Sequence, residues 1–161
     1  MTAVQELGHA VVHAPCESAH QARLRSKIRY VDPSSWLLVE AIERAGLPGL
    51  LAGRAENTAV VVVAPAGCPQ AAADLARQAA DGAVSPIRYP AASPSASLGL
   101  ACIVFGLCGP TLTLTMPLAT GVPRATWLAQ RYLARRDAEL ALVATVEPGV
   151  ARCTVFALET Q

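Results

Sequence analysis

The sequence has few aromatic residues (4%), little charge (16%) and a net charge of only +1. Scarce aromatics exclude the stacking platforms that single-stranded nucleic acid requires. Near-neutrality excludes a general attraction to nucleic acid or membrane surfaces. No uncharged apolar run reaches the roughly 18 residues of a membrane span. The longest candidate, residues 89–124, is broken by five prolines and several glycines. There is no GxGxxG after a strand, no P-loop and no GxSxG elbow, so nucleotide binding and serine-hydrolase chemistry have no support. The five cysteines (Cys16, Cys68, Cys102, Cys108, Cys153) form no CxxC, and no histidine accompanies a cysteine pair. Cys16 and His20 alone are two ligands, too few for a zinc site. No metal or other cofactor is therefore expected, and reduced, mostly buried thiols are. The three histidines (His9, His13, His20) all fall in the first 20 residues, where they read as packing or surface residues. The acids read as solvated helix exteriors and element ends.

What is present is apolar. The chain is 53% hydrophobic over 161 residues, with mean hydropathy +0.37. This composition argues for a folded domain rather than disorder, and the length for a single domain spanning 1–161. The start, "MTAVQELGHAVVHAP", lacks the basic opening of a secretion signal, which predicts a cytoplasmic protein. The surplus apolar surface is expected to be hidden in part by a partner.

Residues 7–14 read as a short strand, followed by a polar connector. Asp32-Pro33-Ser34-Ser35 reads as a helix start, with an Asp cap and Pro in the first turn, and the helix closes at Gly46. "NTAVVVVAPAG" is a β-branched run suited to a strand buried on both faces. "CPQAAADLARQAADG" predicts a second helix ending at Gly82, and 95–105 a short buried helix. "TLTLT" alternates strictly, 120–136 predicts a helix, and "AELALVATVE" and "ARCTVFALE" predict strands joined as an antiparallel hairpin. The order implies an α/β domain. Its five-stranded sheet should be mostly parallel with one antiparallel edge strand and helices on both faces. One polar pattern stands apart: Arg23, Arg25, Lys27 and Arg29 recur every second residue. In an extended segment they would share one side and could meet an acidic partner, although a solvated edge accounts for them as well.

The stretch "VSPIRYPAASPSASLGLACIVFGLCGPTLTLT" resembles the segment that precedes the nucleophile in β-ketoacyl-acyl carrier protein synthases. "LATGVPRATWLAQRYLARRDAELALVATVE" resembles the nucleophile elbow, helix and next strand of that family. The resemblance covers most of residues 7–158 and implies one half of a thiolase-like fold. Counted from Gly109-Pro110, the family's catalytic Cys falls on Leu118. The elbow Met116-Pro117-Leu118-Ala119-Thr120-Gly121 carries no Cys, Ser, His or acid. A leucine side chain has no lone pair with which to attack a thioester. The family's two catalytic histidines belong to its second half, which this sequence does not contain.

The resemblance therefore implies a non-catalytic, ketosynthase-like subunit of polyketide or fatty-acid biosynthesis, similar to the chain length factors that pair with ketosynthases. Met116, Pro117, Leu118 and Gly121 would line an acyl pocket or only fill space. Thr111, Leu112, Thr113, Leu114 and Thr115 would pair across a dimer interface with a ketosynthase or a second copy. The helix after the elbow, with its stripe of Val122, Ala125, Leu128, Ala129, Tyr132 and Leu133, would lie between two sheets. Leaving about 600 Å² of it open would cost on the order of 15 kcal/mol, which predicts an oligomer. A scaffold that holds an acyl carrier protein through Arg23, Arg25, Lys27 and Arg29, or through Arg131, Arg135 and Arg136, is the alternative. A split enzyme completed by a second chain is disfavoured, because the missing Cys belongs to this half.

Overall fold

The computed structural model describes residues 3–24 and 26–159. Its centre is β2 (Thr58–Val63), six consecutive residues that are all buried, as a β-branched run between two covered faces should be. Around it stand β1 (Val4–His13), β3 (Thr111–Leu114), β4 (Leu140–Glu147) and β5 (Val150–Leu158). They form one open sheet in the order β1-β5-β4-β2-β3. β2 is parallel to β3 and β4, while β5 runs antiparallel to β4 and β1. The expected single antiparallel strand is thus present, but it lies one place in from the edge. The two-residue turn returns β5 beside β4, and the N-terminal strand then adds outside it. The register of β1 slips between Glu6 and Gly8, the irregularity behind its poor sequence alternation.

The helices are α1 (Ala19–Leu24), α2 (Pro33–Arg44), α3 (Leu47–Leu50), α4 (Pro69–Ala80), α5 (Ala96–Phe105) and α6 (Leu118–Ala134). On one face of the sheet, α2 and α5 bury Leu38, Val39, Ile42 and Leu98 over Val60, Val62, Leu140, Leu142 and Val155. α2 starts where its cap predicts. The carboxylate of Asp32 accepts hydrogen bonds from the Ser34 N–H (2.9 Å) and hydroxyl (2.5 Å). Its second oxygen accepts from the Gln70 and Ala71 N–H groups of α4 at 2.9 and 3.0 Å. One buried side chain thereby caps two helices. α4 has no buried residue of its own, so this shared cap is its principal polar tie to the domain.

On the other face α6 packs alone. It lies over β2 and β4 and only brushes β5. Ala125, Ala129 and Leu133 are buried against Ala59, Val61, Val63, Ala141 and Val143, with Val122, Leu128 and Tyr132 half-buried beside them. The stripe expected to stay open is therefore covered by the chain's own sheet. The outward side of the helix carries Arg124, Gln130 and Arg131 together with Pro123, Ala134 and Trp127, the last at 58% exposure. The exposure argument for an oligomer does not hold for this stripe. The large apolar side chains left most exposed lie elsewhere, at Ile87 (75%), Ile103 (71%) and Tyr89 (65%), with Val84, Val11 and Leu112 less so.

Candidate functional site

β3 ends at Leu114, and the chain turns sharply through Thr115, Met116 and Pro117 into α6. Pro117 takes the N-cap position with φ −54° and ψ 143°, and no side chain caps the helix. Its carbonyl accepts hydrogen bonds from the Thr120 N–H (3.1 Å), the Gly121 N–H (2.8 Å) and the Thr120 hydroxyl (3.1 Å). Gly121 is required by contact. A Cβ there would run into Val63 Cγ1 and sit 3.1 Å from Met116 Cγ, so the helix start can press on the end of β2. Gly109 answers the same need before β3, where a Cβ would meet the Thr58 backbone. Arg124 reaches back to Met116 Sδ at 3.4 Å. The strand-to-helix elbow is thus formed, with Leu118 as the first helical residue.

Leu118 is half-buried, and with Val122 and Val143 it forms the apolar side of an open trough of about 390 Å³. The polar side is His9, Thr145, Glu147, Arg152 and Thr154. Strand register sets this row, because His9, Thr154 and Val143 are cross-strand neighbours, as are Val11, Arg152 and Thr145. His9 Nδ1 and Thr154 Oγ1 lie 2.9 Å apart. Arg152 donates to Glu147 at 3.3 Å, and the Thr145 hydroxyl is buried without a hydrogen-bond partner. Nothing in the sequence brought His9 and the elbow together; only the pairing of β1 with β5 does so. The trough has no cysteine or serine, and its one imidazole is bonded to a threonine.

The thiols lie away from this face. Cys153 is fully buried among the residues under α2, and burial pushes its pKa up to about 12. Burial, and secondarily the nearby Cys108, also raises Cys102. Neither is poised as a thiolate. Cys68 is buried and lies 3.5 Å from the Ser97 hydroxyl. No group of three or more potential metal ligands occurs among the described residues. No helix among them is long and apolar enough to cross a membrane.

Thr111, Leu112, Thr113 and Leu114 pair on one side with Val60 through Val63. Their strand ends the sheet, so its other edge is open among the described residues, with Thr115 just beyond. The basic row is not extended. Arg23 closes the short helix α1, where its guanidinium contacts His20 at 3.1 Å, and Lys27 lies in the turn that follows. Arg29 is exposed in the next segment, and Arg25 lies outside the described residues. Arg23, Lys27 and Arg29 therefore do not stand in one extended row. A smaller cavity of about 120 Å³ opens between the start of α2, α4 and the loop at Arg88. There Arg88 stacks on Tyr30, 4.6 Å from the ring centre.

A five-stranded open sheet in this order, with an uncapped helix springing from the third strand, is the thiolase-like half-fold found in ketosynthases and chain length factors. The ishigamide ketosynthase/chain length factor is similar over 63% of this chain and 36% of its own, with TM-score 0.56 and 21% identity. A ketosynthase in complex with its chain length factor from Xenorhabdus doucetiae matches over 99% of this chain and 80% of its own, with TM-score 0.68 and 13% identity. A type II polyketide synthase acyl carrier protein in complex with its hexaketide-bound ketosynthase gives TM-score 0.74 and 12% identity, over 98% of this chain and 63% of the other. The chain thus spans less than two thirds of the first and third of these. At such identities the likeness establishes the fold. No protein-family model and no curated protein matches the sequence.

Proposed function

We propose that the chain is a non-catalytic, ketosynthase-like subunit of a polyketide or fatty-acid biosynthetic system that pairs with a ketosynthase. The observation that carries this reading is the elbow. The strand, the sharp turn and the helix start are all built, with Gly121 pressed against Val63, yet the residue at the head of the helix is Leu118. Position without a nucleophile serves packing or the wall of a pocket, not acyl transfer. The pairing is supported by the open edge of β3 and the exposed Leu112 on it. An unpaired edge is a template for a strand of another chain. Leu118 then lines the trough without forming bonds, and Met116 packs beside Gly121.

The test is intact-protein mass spectrometry after incubation with an acyl-carrier-protein thioester, in the presence of a ketosynthase whose own Cys has been removed. The wild-type chain should gain no acyl mass. A stoichiometric acyl adduct on this chain would overturn the reading.

A further inference from the structure

The cavity of about 120 Å³ between the start of α2, α4 and the loop at Arg88 has no part in the pairing proposed above. Gln70, Asp74 and Gln78 line it from α4, at a spacing of four that puts them on one helix face over about 12 Å. Arg88 lines it from the loop. Its guanidinium stands 4.6 Å from the centre of the Tyr30 ring. The cation–π attraction holds the group in place and leaves its edge N–H donors free. Arg88 makes no ion pair among the described residues. Tyr30 takes φ 60°, a left-handed backbone that is strained for an aromatic residue. Its ring is 45% exposed, so core burial does not offset the strain. The ring serves instead as a wall of the cavity and a seat for Arg88. Two carboxylates border the same space. Asp32 already accepts four hydrogen bonds, which fills its capacity. Asp74 is engaged at Oδ1 by the exposed Arg77 of its own helix, and its Oδ2 has no partner among the described residues.

We propose that this cavity binds a free α-amino acid with an aliphatic side chain. Arg88 and Asp74 border one cavity without pairing with each other, and a zwitterion satisfies both. Its carboxylate takes the edge donors of Arg88, and its ammonium takes Oδ2 of Asp74. Its side chain lies on Val31, Leu75 and Ala91. A simple anion would meet the Asp74 carboxylate, and a simple cation would meet Arg88, so each leaves one charge desolvated without return. The cavity is smaller than the roughly 300–1,000 Å³ of pockets that hold drug-sized ligands, which excludes a nucleotide or a long acyl chain. The elbow, the trough and the β3 edge are built from other residues, so the inference goes beyond the pairing and does not rest on it.

The probe is L-leucine, titrated into the isotope-labelled full chain and followed by amide NMR. Its two half-molecules are the controls: isocaproate, which lacks the ammonium, and isoamylamine, which lacks the carboxylate. Leucine at millimolar concentrations should shift the amides of Ala71, Leu75 and Ala91 and the side-chain amide of Gln78 saturably. Each half-molecule should bind about ten-fold more weakly or worse. R88Q should weaken leucine about ten-fold or more, and D74N should weaken it several-fold. R44Q, at the far end of α2, removes the same charge and should leave the affinity within about two-fold. The remaining amide spectrum certifies that each variant folds. Absence of saturable shifts, a half-molecule that binds as well as leucine, or equal affinity in R88Q and the wild type would overturn the proposal. Pairing with a ketosynthase is read separately by mass, so failure of either idea is visible without the other.

Discussion

The two faces of the sheet are built to different standards. Under α2 and α5 the strands β1, β2, β4 and β5 all contribute to one buried layer, in which Leu38, Val39, Ile42 and Leu142 are wholly buried. Under α6 only β2 and β4 are covered. β1 and β5 turn His9, Arg152 and Thr154 toward an open trough. The first face carries the stability of the domain. The second is left wet and charged, and holds the elbow and the trough.

The comparison can be broken most directly in the core. Leu38→Ala, on the sealed face, should cost about 3 kcal/mol in urea unfolding, while Val122→Ala on α6 should cost about 1 kcal/mol. Equal losses would remove the distinction. Asp32→Ala strips four donors of their acceptor and should cost about 2–3 kcal/mol. Amide exchange at Gln70 and Ala71 should accelerate first, since α4 depends on this cap.

Cys153 sharpens the contrast through pH. Burial raises its pKa from 9.0 to about 12, so the folded state holds a proton that the unfolded chain releases. That contribution is intact below pH 9 and drains away as pH rises toward 12, by roughly 1.4 kcal/mol per unit. Cys153→Val should flatten that part of the decline in denaturant midpoints measured from pH 8 to 10. The smallest effect lies at the elbow. In Gly121→Ala the new methyl strikes Val63, offset by better helix propensity, for a net loss of about 1 kcal/mol. The Gly121→Ala/Val63→Ala pair should lose less than the sum of its parts.

Much of the fold was legible because periodicity and caps agreed. "TAVVVV" could only be a doubly covered strand, and Asp32-Pro33 marked the start of α2 at its observed residue. The two short helices were not legible. α1 buries none of its residues fully, so its sequence shows no apolar period, and α3 is a single turn after Gly46. The elbow was readable from "GPTLTLTMPLATG", because close packing demands glycine at Gly109 and Gly121. The trough was not, since it depends on β1 returning beside β5 across the whole length of the chain. The apolar stripe of α6 was read correctly as a stripe. What covers it was misjudged, because an apolar stripe in a sequence does not say whether the chain's own sheet or another chain lies over it.

The central claim is that this chain acts by pairing, with its nucleophile position silent. The most direct measurement is the mass in solution by light scattering, for the purified chain alone and mixed with a ketosynthase from the same biosynthetic system. The account predicts a stable stoichiometric complex with the ketosynthase, weakened when a proline at Thr113, whose N–H faces away from β2, spoils the open edge of β3. A well-behaved monomer that ignores the ketosynthase at every ratio would contradict it.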